Sequence, residues 1–533
     1  MTLLKSVAIS VLYVVGISAI ASSAYAQNVS IVSSNSANRS ASSSLNGQTV
    51  VEDIYVSLMT GVEVSRVRFF VDGNLVNTEL HSPFDLQGGA SDEANPFDTN
   101  DLSNGNHIIR ADILFDNGST DSISANFAVA NTTLPEPVST FRHRVTFEGE
   151  SVDITFSPFS SRGPLFSVHQ QTSNGDIVEV DDVPDVKTYI GLVDNHPEAF
   201  ASALVRESGE VFATVVFPIT RTWRDEGGLV TEQTRENTPL LPTQFLTQTA
   251  GSDLYAADVF IDLAKPYIDE AGGTVIEALE TVEYSMTAIN AIYMRDNAII
   301  NRIGKVIMRT TASQDPYRGN TADHRLILLG LSSTDRTDHD IVTVISGAIG
   351  GGIADVGTIS RASSANGTNG SGYFVNPARH EFGHNWGSAH FEGGAHNEGR
   401  TIMSGNGLSK FASAAMEDIL NERYQVADEH LENLGNVAPQ LPPRAGDDLA
   451  TVSLNSSIDI FPLDNDNDVN GESISLLSVP AETFAGNTLT VNDQNTVTLQ
   501  ATVNTSDGYD WFRYSMQDES DLISEAVVHI RLE

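Results

Sequence analysis

The sequence predicts a multidomain protein in which an α/β domain lies between all-β sandwich domains. The chain has 533 residues, enough for three or four domains with separate cores. Short strand patterns broken by turn signals fill both ends of the chain. Between about residues 250 and 435, helical patterns alternate with strand patterns. We therefore expect one mixed α/β domain with β-rich regions before and after it.

The composition is strongly acidic, with a formal net charge of −41 and a pI near 4.4. Binding to nucleic acid phosphates requires basic patches, so this charge argues against a nucleic-acid partner. It fits a soluble secreted protein, and some of the carboxylates could hold calcium.

Residues 1–26 have the pattern of a secretory signal peptide. Lys5 provides the positive start, residues 6–20 are mostly apolar, and Ala24-Tyr25-Ala26 forms an A-x-A cleavage site. No later segment approaches the ~20 apolar residues that a membrane span requires. Export combined with zero cysteines predicts an extracellular bacterial protein that begins at Gln27 and does not depend on disulfides.

Residues 27–131 are predicted to form a β-sandwich. Asp72-Gly73 is a hairpin signal directly after the strand pattern of residues 67–71, and residues 116–118 are a second turn signal. The region resembles the Ig-like modules of bacterial secreted enzymes. Such a module could attach the protein to a glycan or a surface, or act as a spacer. Spacing is favoured because no aromatic platform is visible.

Two further segments precede the α/β domain. Residues 141–220 are rich in strand patterns, and residues 221–248 are polar and contain Pro239 and Pro242, which predicts a loose connector. The α/β domain is assigned to residues 249–437. Strands are expected at residues 258–263, 299–308, 325–331 and 341–345, and a final helix from residue 412 to about 434. A further helix is predicted between the first two of these strands. It is indicated by apolar residues at helical spacing: Val275, Leu279, Val282, Met286, Ile289 and Tyr293.

The most informative stretch is residues 380–390, which reads HExxHxxGxxH. On a helix, His380 and His384 share one face and can reach one metal ion, while Glu381 can meet a water on that ion. Gly387 permits a turn that returns His390 to the same ion. Three neutral nitrogen ligands and an open fourth position describe a catalytic zinc site.

Met403 follows in a glycine-rich stretch, Ser404-Gly405-Asn406-Gly407. A methionine in such a turn after the histidine motif resembles the metzincin metallopeptidases, and within them the reprolysin (adamalysin-like) group. The resemblance implies that Met403 floors the zinc site. It also implies that an edge strand binds the substrate through Ile353, Ala354, Asp355 and Val356. The chain departs from the reprolysin pattern in having Phe391 after the third histidine and in lacking cysteines.

Residues 141–220 resemble the pro-segment of reprolysin-type zymogens. Cleavage in the connector would then also remove the N-terminal sandwich, whereas a permanent segment would retain it. Those prodomains often block zinc with a cysteine, which this chain lacks.

The site predicts a zinc endopeptidase acting on protein or peptide substrates, with Glu381 as general base toward a zinc-activated water. The alternative is an inactive metzincin-like protein that binds or adheres through its Ig-like modules. The intact Glu381 favours the enzyme.

Residues 444–533 are predicted to form a last β-sandwich, which resembles the cadherin-like Ig modules of bacterial exoproteins. Asp464, Asp466 and Asp468 alternate with asparagines. They are either candidate calcium ligands, since Ca²⁺ takes ~6–8 oxygens, or a set of Asx turns.

Overall fold

The computed structural model describes most of the chain, and the residues fall into two compact units, 1–131 and 132–533. The predicted signal peptide and Phe391 lie outside the described residues. The described ranges are 29–50, 53–99, 102, 105–129, 139–180, 183–217, 221–234, 245–332, 335–347, 351–357, 359–360, 362–368, 373–390, 401–404, 410–492 and 495–533. No helix in these ranges is long and apolar enough to cross a membrane.

The first unit consists of two β-sheets that share one core. Its strands are β1 (Val29–Ser34), β2 (Ser43–Ser44), β3 (Thr49–Val50), β4 (Asp53–Thr60), β5 (Val64–Val71), β6 (Asn74–Glu79), β7 (Phe84–Asp85), β8 (Phe97–Asp98), β9 (Gly105–Phe115) and β10 (Thr120–Val129). One sheet has the order β2-β1-β4-β7 with β8 on β4, and the other has the order β3-β10-β9-β5-β6. In β5, Val67 and Phe69 are buried while Arg66 and Arg68 are exposed, which is the alternation of a half-buried strand.

The predicted hairpin at Asp72-Gly73 is confirmed. Both residues have positive φ, 47° and 86°, and β5 pairs with β6 across them. Two successive left-handed residues suit the right-handed twist of the strands that they join.

The second unit begins with strands that belong to two different sheets. They are β11 (Phe141–Phe147), β12 (Glu150–Pro158), β13 (Arg162–Gln171), β14 (Ile177–Glu179), β15 (Thr188–Val193), β16 (Phe200–Val205), β17 (Val211–Phe217), β18 (Arg221–Glu226) and β19 (Val230–Thr234). Seven of them form an antiparallel sheet in the order β11-β12-β15-β16-β17-β18-β19, whereas β13 and β14 leave it.

The central sheet has eight strands. The elements that complete this part are β20 (Tyr255–Leu263), α1 (Lys265–Glu270), α2 (Val275–Asn297), β21 (Ile299–Met308), α3 (Thr321–Leu331), β22 (Ile341–Ile345), β23 (Gly352–Ala354), β24 (Ala362–Asn366), α4 (Val375–Asn385), α5 (Ser413–His430) and β25 (Glu432–Asn433). The strand order is β14-β13-β21-β20-β22-β24-β23, with β25 on β20. The short strand β23 lies at the edge and runs antiparallel to β24.

Helix α2 lies between the two sheets, which explains why it is buried on nearly every side. Tyr284 shares a hydrogen bond of 2.8 Å with Thr214 of the seven-stranded sheet. On the other side, the Asn290 side chain accepts a hydrogen bond of 2.9 Å from the Asn301 N–H in β21. The sheet made from residues 141–234 is therefore part of the packing around α2.

Three sequence predictions need correction here. The predicted start of the α/β domain at residue 249 does not match the central sheet. Strand β13, which pairs in parallel with β21 in that sheet, comes from the predicted prodomain-like segment 141–220. The loose connector is wrong for residues 221–234, which form a hairpin with Trp223 fully buried. The predicted strand at residues 325–331 is wrong. These residues belong to helix α3, which begins at a capping box formed by Asn320 and Asp323.

The chain ends in a second β-sandwich. Its strands are β26 (Asp448–Val452), β27 (Ser457–Ile460), β28 (Ser475–Ser478), β29 (Thr488–Val491), β30 (Val497–Gln500), β31 (Tyr509–Gln517) and β32 (Ile523–Leu532). The sheets have the orders β26-β32-β31-β28 and β27-β30-β29. This sandwich packs on the α/β part: Leu441 and Val469 join its main hydrophobic core, and Asn467 exchanges two hydrogen bonds with the backbone of Gly251. The predicted fold class, an α/β domain with all-β sandwiches, is confirmed.

Candidate metal centre

Helix α4 positions the first half of the predicted site. His380, Glu381 and His384 lie in its last two turns, and Trp386 is the C-cap after the last helical residue, Asn385. Gly387 has φ +97°, and a Cβ there would lie 3.3 Å from the Asp418 carbonyl oxygen. Only glycine adopts this conformation without strain, so Gly387 ends the helix and lets the chain turn back toward His390.

The structure brings His380, His384 and His390 together. The Nε2 atom of His390 lies 2.9 Å from the Nε2 atoms of both His380 and His384. These three form the one group of potential metal ligands found among the described ranges. Two nitrogens on one tetrahedral zinc lie about 3.3 Å apart, given Zn–N bonds of ~2.0–2.1 Å, so a small outward movement of the rings admits the ion.

Hydrogen bonds fix the two helical rings in the form that binds metal. Nδ1 of His380 lies 2.8 Å from the Ile402 carbonyl oxygen, and Nδ1 of His384 lies 2.6 Å from that of Ser388. Carbonyls only accept, so each Nδ1 donates and each Nε2 keeps a free lone pair. Burial lowers the pKa of His380 to about 4 and also lowers that of His384, so both rings are neutral at pH 7. This donor set fits a zinc ion.

Glu381 directly follows His380 in α4 and is 5% exposed. Burial raises the pKa of its carboxyl to about 8. A divalent cation held by the three rings would lower this pKa by Coulomb attraction and favour the ionised form. A buried carboxylate whose charge depends on a nearby cation is suited to proton transfer at that cation.

Met403 packs against α4, the helix that carries His380 and His384, and is fully buried. A Cβ at Gly383 would meet its sulfur at 2.4 Å and the Phe411 ring at 3.3 Å. The residue before it, Ile402, holds His380 through its carbonyl oxygen. Met403 thus lies against the helix of the histidines, and its role as floor of the site stays a prediction. Residues 405–409 of the predicted glycine-rich turn lie outside the described ranges.

The four residues predicted to bind the substrate have different surroundings. Ile353 and Ala354 lie in the edge strand β23, and Val356 is 54% exposed. Asp355 is engaged elsewhere: its carboxylate pairs with Arg325 and accepts a hydrogen bond of 2.7 Å from Ser363. Burial raises the pKa of Asp355, but the bonds from Arg325 and Ser363 outweigh that effect and leave it lowered. This carboxylate therefore holds the strand in place.

Sequence reasoning missed Gly352 as a site residue. A Cβ on Gly352 would lie 2.5 Å from Cγ and 2.6 Å from Oε1 of Glu381, so the edge strand packs directly on the predicted base. The paired glycines at 351 and 352 at the start of a strand were the available signal.

The candidate calcium ligands are not gathered into one group. Asp464 is exposed, whereas Asp466 is buried and accepts hydrogen bonds of 2.9 Å from Tyr514 and 2.7 Å from the Gly446 N–H. Asp468 accepts a hydrogen bond of 2.9 Å from the Glu472 N–H. The bond at Asp468 spans four residues, whereas an Asx turn spans two, so the calcium site and the Asx turns both stay predictions.

Comparison with known protein families assigns two parts of the chain. Residues 279–391 match the sequence model of metallo-peptidase family M12B, reprolysin-like, and residues 439–531 match that of a bacterial Ig domain. The chain therefore contains a reprolysin-like M12B metallopeptidase domain followed by a bacterial Ig domain. This confirms the family predicted from the histidine motif, and protease activity with zinc is the property of that class.

Solved structures show weak overall similarity. Metalloproteinase-II from Bacteroides fragilis is 11% identical over 53% of this chain and 91% of its own, with a TM-score of 0.30. The fibronectin(III)-like modules of Clostridium thermocellum CbhA are 22% identical over 16% of this chain and 87% of their own, with a TM-score of 0.12. CopC from Methylosinus trichosporium OB3b is 18% identical over 19% and 92%, with a TM-score of 0.12. No curated protein matches this chain.

Proposed function

We propose that this protein is a secreted zinc endopeptidase in which His380, His384 and His390 hold the ion and Glu381 is the general base. The observation that carries the proposal is the cluster of three histidine Nε2 atoms, two of them on the helix that also carries the buried Glu381. When bound, zinc supplies Lewis acidity and lowers the pKa of a water toward ~7.

Glu381 performs the proton transfers. Its carboxylate accepts the proton of the attacking water and then donates it to the leaving amine. Packing against Gly352 limits where this side chain can lie, which favours one orientation toward the site. The hydrogen bonds that the Nδ1–H groups of His380 and His384 donate to the Ile402 and Ser388 carbonyls hold the rings still during these steps.

The edge strand β23 is the proposed binding surface for the peptide. In the antiparallel pair β23–β24, the Asp355 N–H donates to Ser363 and the Gly351 carbonyl accepts from Gly367. Backbone groups alternate in direction along a strand, so those of Gly352 and Ala354 point away from β24. An extended peptide can pair with them and place a carbonyl near Glu381.

Zinc content and chelator-sensitive cleavage test the proposal together. We expect one zinc per chain by mass spectrometry and casein cleavage that stops with 1,10-phenanthroline, a zinc chelator, and returns with added zinc. His384→Ala should lose the zinc, whereas the exposed His81→Ala in the N-terminal unit should keep it. Zinc at full stoichiometry in His384→Ala would refute the site. Zinc binding without cleavage would favour the inactive, adhesive alternative.

A further inference from the structure

The C-terminal Ig domain presents a stacked pair of aromatic rings at its surface. Phe484, between β28 and β29, lies on Trp511 of β31 with the ring centroids 5.1 Å apart and the planes 15° apart. Phe484 is 77% exposed, the largest exposure of any large hydrophobic side chain in the described ranges. The Arg513 guanidinium lies 5.8 Å from the centroid of the Trp511 ring.

Buried polar groups hold Phe484 in this exposed position. Asp510 is 1% exposed, and its carboxylate accepts hydrogen bonds from the Ala485 N–H at 2.9 Å, from the Asn487 amide at 2.8 Å and from the Thr483 hydroxyl. The Phe484 N–H donates to the Trp511 carbonyl at 2.8 Å. The turn is therefore fixed on both sides of Phe484. A ring held rigidly in water at a fixed turn is a preorganised contact surface.

The two rings line a shallow cleft of about 450 Å³ that is widely open to solvent. Pro480 and the aromatic pair form apolar walls, and Glu482 and Arg513 add one acidic and one basic group.

We propose that this cleft binds a neutral carbohydrate, with a pyranose ring packed on the Phe484–Trp511 pair. The C–H face of a pyranose is apolar and stacks on aromatic rings, while its hydroxyls donate to carboxylates and accept from guanidinium groups. The cleft offers both kinds of contact, through its rings and through Glu482 and Arg513.

An extended peptide fits the same place less well. Peptides add to sheets through the backbone groups of an edge strand. The neighbouring edge strand β28 ends at Ser478, its pairing with β31 is irregular between Leu476 and Ser478, and Pro480 has no N–H to donate. The net charge of −41 likewise disfavours a strongly anionic polymer. The binding site does not depend on the peptidase activity.

Tryptophan fluorescence offers a specific measurement. The chain has three tryptophans, and Trp223 and Trp386 are both fully buried, so a surface ligand contacts only Trp511. The probes are soluble neutral polysaccharides: mixed-linkage β-glucan, xylan, galactomannan and starch. We expect at least one to retard the full chain in affinity gel electrophoresis and to reduce quenching of its fluorescence by acrylamide.

Matched variants distinguish binding at this site from non-specific adsorption to the protein surface. Phe484→Ala should weaken retardation at least tenfold, and Phe484→Tyr should retain it because the ring remains. Phe461→Ala, which removes another exposed phenylalanine of the same domain, should leave it unchanged. Unchanged thermal unfolding and casein cleavage in Phe484→Ala would show that the fold is intact. Retardation by none of the four polysaccharides, or equal retardation of Phe484→Ala, would overturn the proposal. So would loss of casein binding in Phe484→Ala without any glycan binding, since that pattern indicates a protein-docking surface.

Discussion

Nε of Arg444, in the segment matched as the bacterial Ig domain, lies 3.4 Å from Oδ1 of Asp296 in the last turn of α2. Both side chains are almost completely buried. Between them lies Phe411, whose N–H donates to Asp296 at 2.9 Å and whose carbonyl accepts from Arg444 at 2.9 Å. Phe411 and Met403 in turn both pack against α4 at Gly383, between His380 and His384. The Ig domain therefore supports the helix of the candidate metal site.

Arg444→Met is expected to destabilise the protein and weaken zinc binding. The variant keeps much of the apolar stem but leaves the buried Asp296 with Arg295 as its remaining ion-pair partner. Breaking a buried ion pair costs about 3–5 kcal/mol, and the remaining partner should reduce this to about 2–3 kcal/mol. Thermal unfolding and zinc retention against a competing chelator measure the two effects. Arg531→Met, an exposed arginine of the same domain, is the control. Equal stability of the two variants would contradict the coupling.

Glu381→Gln is expected to keep zinc and lose activity. The amide preserves shape but cannot accept the proton, so kcat should fall by roughly 10² or more. Casein cleavage and zinc content of the same preparation check this. Activity within a few-fold of the wild type would place the proton acceptor elsewhere.

The candidate metal site could be predicted from the sequence because its residues lie close together in the chain. His380, Glu381, His384, Gly387 and His390 lie within eleven residues, and helix geometry fixes most of their arrangement. The pairing of β13 with β21 joins residues more than a hundred positions apart, and no local pattern encodes it. The same holds for Arg444 and Asp296.

The helix α3 was missed for a different reason. Its apolar run, Leu326-Ile327-Leu328-Leu329, fits a short strand as well as a helix. The capping residues Asn320 and Asp323 were the signal that could have decided between them.

Gly352→Ala is expected to reduce activity, because the new methyl group would meet Glu381 at about 2.5 Å. Either the edge strand or the general base must shift, and a displacement of about 1 Å can cost ~10²-fold in rate. We expect kcat/KM for a peptide substrate to fall at least tenfold with zinc retained. Gly330→Ala in α3, where a Cβ meets nothing within 4 Å, is the matched control and should stay active. Full activity of Gly352→Ala would show that this contact is unimportant.

Asp340→Asn should stabilise the protein at neutral pH and have little effect in acid. Burial raises the pKa of Asp340 to about 6, although the Asp258 N–H donates to it at 2.8 Å. The folded chain therefore binds more protons than the unfolded chain between pH 3.8 and 6, so stability falls as the pH rises through that window. Above pH 6 the penalty is constant, at about 3 kcal/mol or less. Thermal unfolding should show the gain of the variant growing between pH 4 and 6 and then levelling. The substitution Asp338→Asn at an exposed aspartate is the control. A stability gain of Asp340→Asn that does not depend on pH would contradict the raised pKa of Asp340.

The packing of residues 139–234 bears on maturation. A chain that began between 221 and 250 would lack β13, which pairs with β21 in the central sheet, and would lack most of the sheet that covers α2. Leu279 and Met286 of α2 share a core with Ile190, Phe200 and Val216 of that sheet. Losing this cover would expose a large apolar surface, which favours aggregation.

We therefore expect the active secreted form to retain the residues from about 139 onward, whether or not the N-terminal sandwich stays attached. A chain truncated to begin at residue 139 should express as a soluble protein, bind zinc and cleave casein, because residues 1–131 form a separate compact unit. A chain beginning at residue 245 should be insoluble or unable to bind zinc. N-terminal sequencing of the secreted enzyme provides the independent check. A fully active natural form that starts between 221 and 250, with no fragment of residues 139–234 bound to it, would contradict this prediction and restore the removable pro-segment.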